Sequence, residues 1–266
     1  MATQVPEFTT VVPNHGDAIR VVPVVNVHDI GLIGDKTIAA ATPPPQLTHR
    51  GGPLFDAVQV VTVFWGKAWN LAANQAMPGQ LNAFFDTILV SELIDQLAEY
   101  STATTTIGHG SRVATVTVTT PNVRLNVTDA AVQHFLQHQI SVAAVPAPTA
   151  NTLYFIYLPP GVSVTQGGGR SCQVFCGYHN DIASTIFYAV MPYPTCQGCT
   201  GTLTAFDALT STSSHELCEA ITDPIPGLGW YDDNHGEIGD ICAWKTKTVG
   251  GYTVQLEWSN NANACV

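Results

Sequence analysis

Charged side chains are scarce in this sequence, and basic side chains are the scarcest. Only 11% of the 266 residues are charged, and nine lysines and arginines stand against twenty aspartates and glutamates, so the formal net charge is −11. Nucleic acids and anionic membrane surfaces are bound through basic patches. The shortage of such residues excludes nucleic acid as a partner, and a 45% apolar content excludes a disordered chain.

Long hydrophobic runs are also missing. The longest largely apolar run, AVQVVTVFW, covers residues 57–65, whereas a membrane-spanning helix needs about 20 apolar residues. We therefore expect no membrane insertion. The N-terminal MATQVPEFTT has neither the basic start nor the apolar core of a signal peptide. Either the protein is not exported, or its numbering begins after a removed signal.

Cysteine is absent before residue 172, and seven cysteines follow within the remaining chain. Clustering of this kind is typical of disulfides and of an extracellular protein. The odd number leaves at least one cysteine without a partner in the chain. CQGC at residues 196–199 resembles half of a four-cysteine zinc site, but SCQVFC at residues 171–176 has the wrong spacing for the other half. Disulfides are therefore the preferred interpretation.

Two common catalytic motifs are absent as well. TQGGGRS, residues 165–171, lacks the GK[ST] of a phosphate-binding loop, and STSS, residues 211–214, is not the GxSxG of a serine hydrolase. A cysteine nucleophile stays open, because Cys176 lies three residues before His179. The neighbouring cysteines favour a disulfide at Cys176 instead.

The residues that are present divide the chain into an extended lead-in and one domain. Residues 1–48 are punctuated by proline; VVPVVNVHDIGLIG predicts one or two short strands there, and ATPPPQ predicts a stiff polyproline linker. The compact domain is expected to span residues 49–266 and to begin near HRGGPLF.

Mixed periodicity within this domain predicts both strands and helices. Apolar or alternating β-branched runs predict strands in AVQVVTVFWG, RVATVTVTT, NTLYFIYLPPG, ASTIFYAVMPYP and GYTVQLEW. Helices are predicted in NQAMPGQLNAFFDTILVSELIDQLAEY, in DAAVQHFLQHQI with a cap at Thr128 or Asp129, and from about Phe206 to Thr222. These elements predict an α+β fold, a mixed sheet packed on helices.

The longest stretch without lysine or arginine lies between Arg170 and Lys245, and it is acidic. Its carboxylates can point to solvent, hold protons or bind a cation, because burying one without a partner is costly. Solvent is the preferred interpretation for Asp232 and Asp233. The nine acids of this stretch are Asp181, Asp207, Glu216, Glu219, Asp223, Asp232, Asp233, Glu237 and Asp240.

SSHELCEAITDP, residues 213–224, places several chemically active residues on the last predicted helix. His215 and Glu219 are four residues apart, so they lie on one face and can hold one ion, while Glu216 stands beside them, about 100° around the axis. HExxH zinc sites have this arrangement, with the central glutamate as general base, and zinc also accepts carboxylate oxygen. An ordinary helix that contains His-Glu is the alternative; the acidic stretch favours the metal site.

The remaining ligands must come from other segments. GEIGDIC, residues 236–242, offers Glu237 and Asp240 after a glycine, and Asp223 is a further acid beside the helix. His179 is a candidate ligand or a donor to an oxyanion, with a hydrogen-bonded loop histidine as its alternative. A Cys218–Cys242 disulfide would join this loop to the helix. His49 and His109 are interpreted as polar loop residues.

Five segments of the chain resemble the phosphate-induced protein (exordium-like) family in their order: HRGGPLF, FCGYHN, CQGCTG, SHELCEAITDP and EIGDIC. The resemblance extends from about His49 to the C-terminus. It implies an extracellular protein and a zincin-like helix beneath a small sheet, but it implies no particular reaction. The chain departs from the family at Cys218, where a small residue is usual.

The resulting hypothesis is a zincin-like zinc metallopeptidase. A metal ion would be held by His215, Glu219 and either Asp240 or Glu237, with Glu216 as base and His179 stabilising the oxyanion of a peptide or protein substrate. Zinc is a preference, since oxygen-rich ligand sets also accept calcium or manganese. The competing hypothesis is a secreted, non-catalytic binding or growth-signalling module with a structural metal ion.

Overall fold

A five-stranded mixed sheet forms the centre of the computed structural model, which describes residues 43–266 together with Val22 and Val24. The strands lie in the order β3, β2, β5, β9, β8. The first four run parallel, and β8 pairs antiparallel with β9 at one edge. The predicted mixed sheet is thus confirmed. Its strands are β2 (Gln59–Trp65), β3 (Ser111–Val118), β5 (Thr152–Leu158), β8 (Tyr178–Ile182) and β9 (Ile186–Pro192).

Both faces of this sheet are covered, which explains its continuous apolar strands. All seven residues of the central strand β5 are buried. Phe155 and Tyr157 belong to the apolar cluster on one face, and Tyr154 and Ile156 belong to the cluster on the other. Alternation along a strand therefore assigns its side chains to two separate cores.

Five α-helices accompany the sheet in the described residues, and the helices predicted from periodicity are confirmed. They are α1 (Met77–Ile88), α2 (Glu92–Asp95), α3 (Asp129–Ser141), α4 (Gln197–Thr200) and α5 (Ala205–Thr222). Helix α3 is capped by Thr128, whose side chain accepts the backbone N–H of Ala131 at 3.2 Å. None of the described helices is long and apolar enough to cross a bilayer.

Helix α5 is the element that carries the HExxE motif, and it lies almost wholly inside the molecule. Its N-cap Thr204 accepts the backbone N–H of Asp207 at 3.1 Å, and it ends just before Asp223 and Pro224, as expected. Every residue from Ala208 to Thr222 is buried. The helix packs between the edge of the sheet and strand β12.

Short strand pairs surround this framework. Strand β1 pairs with β10, β11 with β12, and β13 with β14, while β4, β6 and β7 form a three-stranded sheet. The bounds are β1 (Thr48–His49), β4 (Asn126–Thr128), β6 (Ser163–Gln166), β7 (Gly169–Arg170), β10 (Trp230–Tyr231), β11 (Thr246–Val249), β12 (Tyr252–Gln255), β13 (Trp258–Ser259) and β14 (Ala264–Cys265).

Most of the lead-in, including nearly all of the strands predicted in VVPVVNVHDIGLIG, lies outside the described residues. Val22 and Val24 are described, and their backbone follows residues 174–177. The N–H of Val22 donates to the Gly177 carbonyl at 3.3 Å, and that of Val24 donates to the Val174 carbonyl at 3.0 Å. Residues 43–46, the last four residues of the predicted linker ATPPPQ, have no helix or strand.

Three disulfides join the cysteines, and one of them corrects an expectation. Cys172–Cys196 and Cys176–Cys199 fulfil the prediction of bridges within residues 172–199. The predicted Cys218–Cys242 bridge is wrong, because Cys242 pairs with Cys265 and Cys218 is a free, buried thiol. The terminal hairpin of β13 and β14 brings Cys265 back to Cys242, while Cys218 packs in the apolar core.

Candidate metal centre

Three segments bring the candidate ligands together in the interior. Helix α5 supplies His215, Glu216 and Glu219; strand β8 supplies His179; and the loop after β10, which ends in a short 3-10 turn, supplies Glu237 and Asp240. All six residues are buried, with exposures between 0% and 4%. The long sequence separation of these segments explains why periodicity alone did not show their proximity.

One group consists of His215, Glu219 and Asp240, which is one of the two ligand sets that the sequence left open. One ligand atom from each residue lies within 4.8 Å of the other two. The Nε2 atom of His215 is 2.9 Å from Glu219 Oε1, which also accepts the backbone N–H of Asp240 at 3.2 Å. Ligand atoms about 2.1 Å from a common zinc ion stand roughly 3–4 Å apart, so small side-chain movements suffice for coordination.

A second group consists of His179, Glu216 and Glu219, whose ligand atoms also lie within 4.8 Å of one another. The Nδ1 atom of His179 is 3.1 Å from Glu216 Oε2 and 3.6 Å from Glu219 Oε2. Its Nε2 atom is 3.1 Å from the carbonyl oxygen of Asp223. Both ring nitrogens thus already face acceptors, and His179 would have to change partner to donate to an oxyanion.

Glu237 does not join the group around His215. Its Oε1 atom lies 3.5 Å from His179 Nε2, and its backbone N–H donates to Asp240 Oδ2 at 3.2 Å. Of the two acids proposed to complete the ligand set, the structure therefore places Asp240 beside His215. Glu237 lies next to the Nε2 side of the His179 ring instead.

Asp223 stabilises the turn that follows helix α5. Its carboxylate accepts the backbone N–H groups of Gly227 at 2.6 Å and Leu228 at 3.1 Å, in addition to that of Gly229. These bonds occupy both oxygens, so this acid has a structural role as a cap for the following turn.

Two glycines allow the segments to approach the helix so closely. A Cβ atom on Gly239 would lie 2.7 Å from His215 Nδ1, and a Cβ atom on Gly177 would lie 2.6 Å from Thr212 Cγ2 and 3.3 Å from Glu216 Oε1. Real Cβ atoms do not come as near as the two shorter distances. Glycine at these positions is thus required by the packing around the candidate ligands.

The buried polar atoms of the centre are poorly satisfied by the protein alone. Among the described residues, neither ring nitrogen of His215 finds a hydrogen-bond partner, and the same holds for Glu216 Oε1, Glu219 Oε2 and both oxygens of Glu237. Among residues 43–266, no lysine or arginine forms an ion pair with these three glutamates. Within the described residues His179 and His215 are the cationic groups that face these glutamates. Three buried carboxylates with two histidines leave an excess of negative charge, which a bound cation relieves.

The pKa values of the cluster reflect this crowding. Burial and the nearby charge of Glu219 raise the pKa of Glu237 well above its usual 4.5. Burial alone would lower the pKa of His215, but the charge of Glu219 outweighs it and the pKa is raised well above 6.5. The pKa of Glu219 shifts in the opposite direction. Burial raises it, but the neighbouring charge of His215 outweighs burial and lowers it to about 2. Without a metal ion, protons take up part of the charge imbalance.

The donor set fits a divalent ion. One imidazole nitrogen with two carboxylates suits zinc, and manganese accepts the same atoms, whereas calcium prefers six to eight oxygen ligands. The cysteines of CQGC are not available for a metal, because Cys196 and Cys199 both belong to disulfides.

Sequence reasoning missed Glu257, which is fully buried between β12 and β13. Within the part of the chain that the structure describes, neither of its carboxylate oxygens has a hydrogen-bond partner, and burial raises its pKa well above 4.5. Its charge also acts on His215 and on the Cys218 thiol. An acid between Leu256 and Trp258, at the end of a predicted strand, was the available signal.

Polar residues elsewhere divide into expected and unexpected cases. His49 and His109 are remote from the centre; the former contacts the Gly52 carbonyl and the latter Asp95. Asp233 is exposed and pairs with Arg50, as expected. The expectation for Asp232 is wrong. It is only 8% exposed, since its carboxylate accepts the backbone N–H groups of Gln46, Asn234 and His235.

Comparison of this chain with models of protein families, with curated proteins and with solved structures found no match. The resemblance to the exordium-like family therefore stays a prediction.

Proposed function

We propose that this protein binds a divalent metal ion, preferably zinc, through His215, Glu219 and Asp240, and that it hydrolyses a peptide or related amide bond. One observation carries the proposal. A histidine nitrogen and two carboxylates from distant segments converge within 4.8 Å in the interior. The His215 nitrogen and the Glu219 oxygen, 2.9 Å apart, make no hydrogen bond with each other.

A bound zinc ion supplies polarisation, which lowers the pKa of water from about 15.7 to about 7. The residues of the chain supply the proton transfer. Glu216 follows His215 directly, and its Oε1 atom has no hydrogen-bond partner, so it is placed to accept a proton. His179 holds the other oxygen of Glu216 at 3.1 Å and thereby fixes the orientation of the base.

Charge in the ligand set affects the working pH. One histidine with two carboxylates cancels the 2+ charge of zinc, whereas two histidines with one carboxylate leave +1. A less positive centre lowers the pKa of water less strongly. We therefore propose that activity is modest at neutral pH and rises on the alkaline side.

The burial of the metal ligands favours a second candidate function. The three ligands are 0–4% exposed, and structural metal sites are closed, whereas catalytic ones keep an open position. In this alternative the protein is a secreted binding or signalling module whose ion stabilises the fold. Three disulfides suit an extracellular setting under either candidate.

The two candidates are separated by one pair of variants. Metal content and hydrolysis of a peptide library are measured, with and without chelator, for wild type, Glu216→Gln and Glu92→Gln. Glu92 is an exposed helical glutamate and serves as the matched control. Loss of a general base costs about 10²–10⁴-fold in rate, so we expect such a loss in Glu216→Gln while the ion held by His215, Glu219 and Asp240 is retained.

Three results would contradict the proposal in different ways. Purified protein without a stoichiometric metal ion removes the whole proposal. Activity that survives chelation, or that is unchanged in Glu216→Gln, removes the metallopeptidase and leaves the metal. Metal without any hydrolysis, together with a large loss of thermal stability on chelation, supports the structural ion.

A further inference from the structure

The two carboxylate oxygens of Glu219 face different histidines. Oε1 lies 2.9 Å from His215 Nε2, and Oε2 lies 3.6 Å from His179 Nδ1. The first oxygen belongs to the ligand group already described, with Asp240. The second oxygen faces His179, and His179 forms a second group with Glu216 and Glu219. One side chain is therefore shared between two places where a cation would be stabilised.

The protonation of His179 follows from its neighbours. Its Nε2 atom lies 3.1 Å from the carbonyl oxygen of Asp223, which can only accept, so Nε2 carries hydrogen. Its Nδ1 atom faces carboxylate oxygens of Glu216 and Glu219. A lone pair directed at two carboxylates is repelled, so positive charge is required at this position, either as a proton or as a metal ion.

A proton satisfies this position incompletely. On Nδ1 it bonds to Glu216 Oε2, 3.1 Å away, but Glu216 Oε1 and Glu219 Oε2 still have no donor. Both glutamates are 0% exposed, so bulk solvent does not reach them. A metal ion accepts electron pairs from a nitrogen and several oxygens at once, and it stabilises all of these atoms together.

We propose that a second divalent ion is bound by His179 Nδ1, Glu216 and Glu219, with the Glu219 carboxylate bridging it to the first ion. The ligand atoms of this group lie within 4.8 Å of one another, as do those of the first. Metal ions in two-metal sites are about 3.5–4 Å apart. The hydrogen bond from Nε2 to the Asp223 carbonyl orients the ring, as outer partners of metal-bound histidines do.

This inference rests on the proposed metal site and adds an ion to it. Because Glu216 takes part in both proposals, turnover would not separate them. Binding stoichiometry separates them, because it counts the ions directly. The ions that suit one nitrogen with carboxylate oxygens are zinc and manganese.

The test uses full-length protein stripped with chelator and dialysed against Zn²⁺, followed by elemental analysis of ions per chain. We expect two for wild type, one for His179→Ala and one for Glu216→Gln, which keeps the size of the side chain. His109→Ala is the matched control, since His109 is exposed and remote, and it should bind two. Circular dichroism and the thiol count verify the fold of each variant.

The outcomes are distinct. One ion in wild type overturns the second site and leaves the proposed function intact. No ion in wild type overturns both. Two ions in folded His179→Ala overturn the assignment of ligands.

A measurement on unmodified protein covers the case in which the variants fail to fold. Two Mn²⁺ ions that share a carboxylate are magnetically coupled. An electron paramagnetic resonance spectrum of isolated Mn²⁺ at saturation would therefore contradict the bridged pair, and a coupled spectrum would support it.

Discussion

The Nε2 atom of His215 lies 2.9 Å from Glu219 Oε1, one helical turn away, and yet the two atoms make no hydrogen bond. The pair is fully buried. Two polar atoms that are close but not aligned with each other are typical of ligands directed at a common third atom. The relationship makes Glu219 the most sensitive position for a test of metal binding.

We expect Glu219→Gln to reduce zinc affinity by more than 100-fold, because it removes a negatively charged ligand, whereas loss of outer partners costs about 10–100-fold. Isothermal titration calorimetry of the stripped protein measures the change. Glu92→Gln is the control and should bind like wild type, since Glu92 is exposed. Equal affinity of the two variants would remove Glu219 from the ligand set.

Gly239→Ala should weaken metal binding without touching a ligand. The added Cβ would lie 2.7 Å from His215 Nδ1, so the ring or the loop that carries residue 239 must shift.

Gly79→Ala is the matched control for this variant, because nothing lies within 4 Å of the added atom and the residue is helical. It should raise the free energy of unfolding by up to about 1 kcal/mol. Metal titration and urea unfolding of both variants give the comparison, and unchanged zinc affinity in Gly239→Ala would contradict the close approach.

The disulfide pattern predicts a single thiol. Native protein should give no reaction with a thiol reagent, since Cys218 is buried, and denatured, unreduced protein should give one thiol per chain. Peptide mapping should recover Cys242 joined to Cys265. A fragment that contains Cys218 joined to Cys242 would show that the observed pairing is incorrect.

The stability of the metal-free protein should fall as the pH rises from 5 to 8. Burial raises the pKa values of Glu237 and Glu257 well above 4.5, so the folded state binds more protons than the unfolded state above that pH. His179 and His215 act in the same direction above 6.5. Glu219, with a pKa of about 2, contributes equally throughout this range.

Bound metal should reverse this trend, because its ligands must be deprotonated. Thermal unfolding at pH 5 and pH 8, in chelator and in excess zinc, measures both curves. We expect the rise in melting temperature on adding zinc to be larger at pH 8. A chelated protein that is equally stable at both pH values would argue against buried, protonated glutamates.

Much of the secondary structure could be predicted from local sequence patterns. Strands such as Thr152–Leu158 were visible as apolar runs, and helix Ala205–Thr222 was visible from its cap and its terminal proline. The i, i+4 spacing placed His215 and Glu219 correctly, because helix geometry is fixed by sequence separation alone. These features depend on neighbours along the chain.

Other features depend on how loops return to the helix, and they were not predictable in the same way. The position of Glu237 behind His179, the pairing of Cys242 with Cys265 and the burial of Glu257 all follow from long-range packing. The exposure of Asp232 was predicted wrongly for the same reason, because the backbone N–H groups that bind its carboxylate include that of Gln46, far away in the sequence.

The free thiol of Cys218 also has a consequence for the order of folding. Seven cysteines can form three bridges in on the order of a hundred ways, and most of these use Cys218. Helix α5 buries that thiol at its centre. Docking of the helix on the sheet therefore takes the odd cysteine out of thiol–disulfide exchange, because exchange requires access to the sulfur, and it leaves the other six cysteines to find their partners.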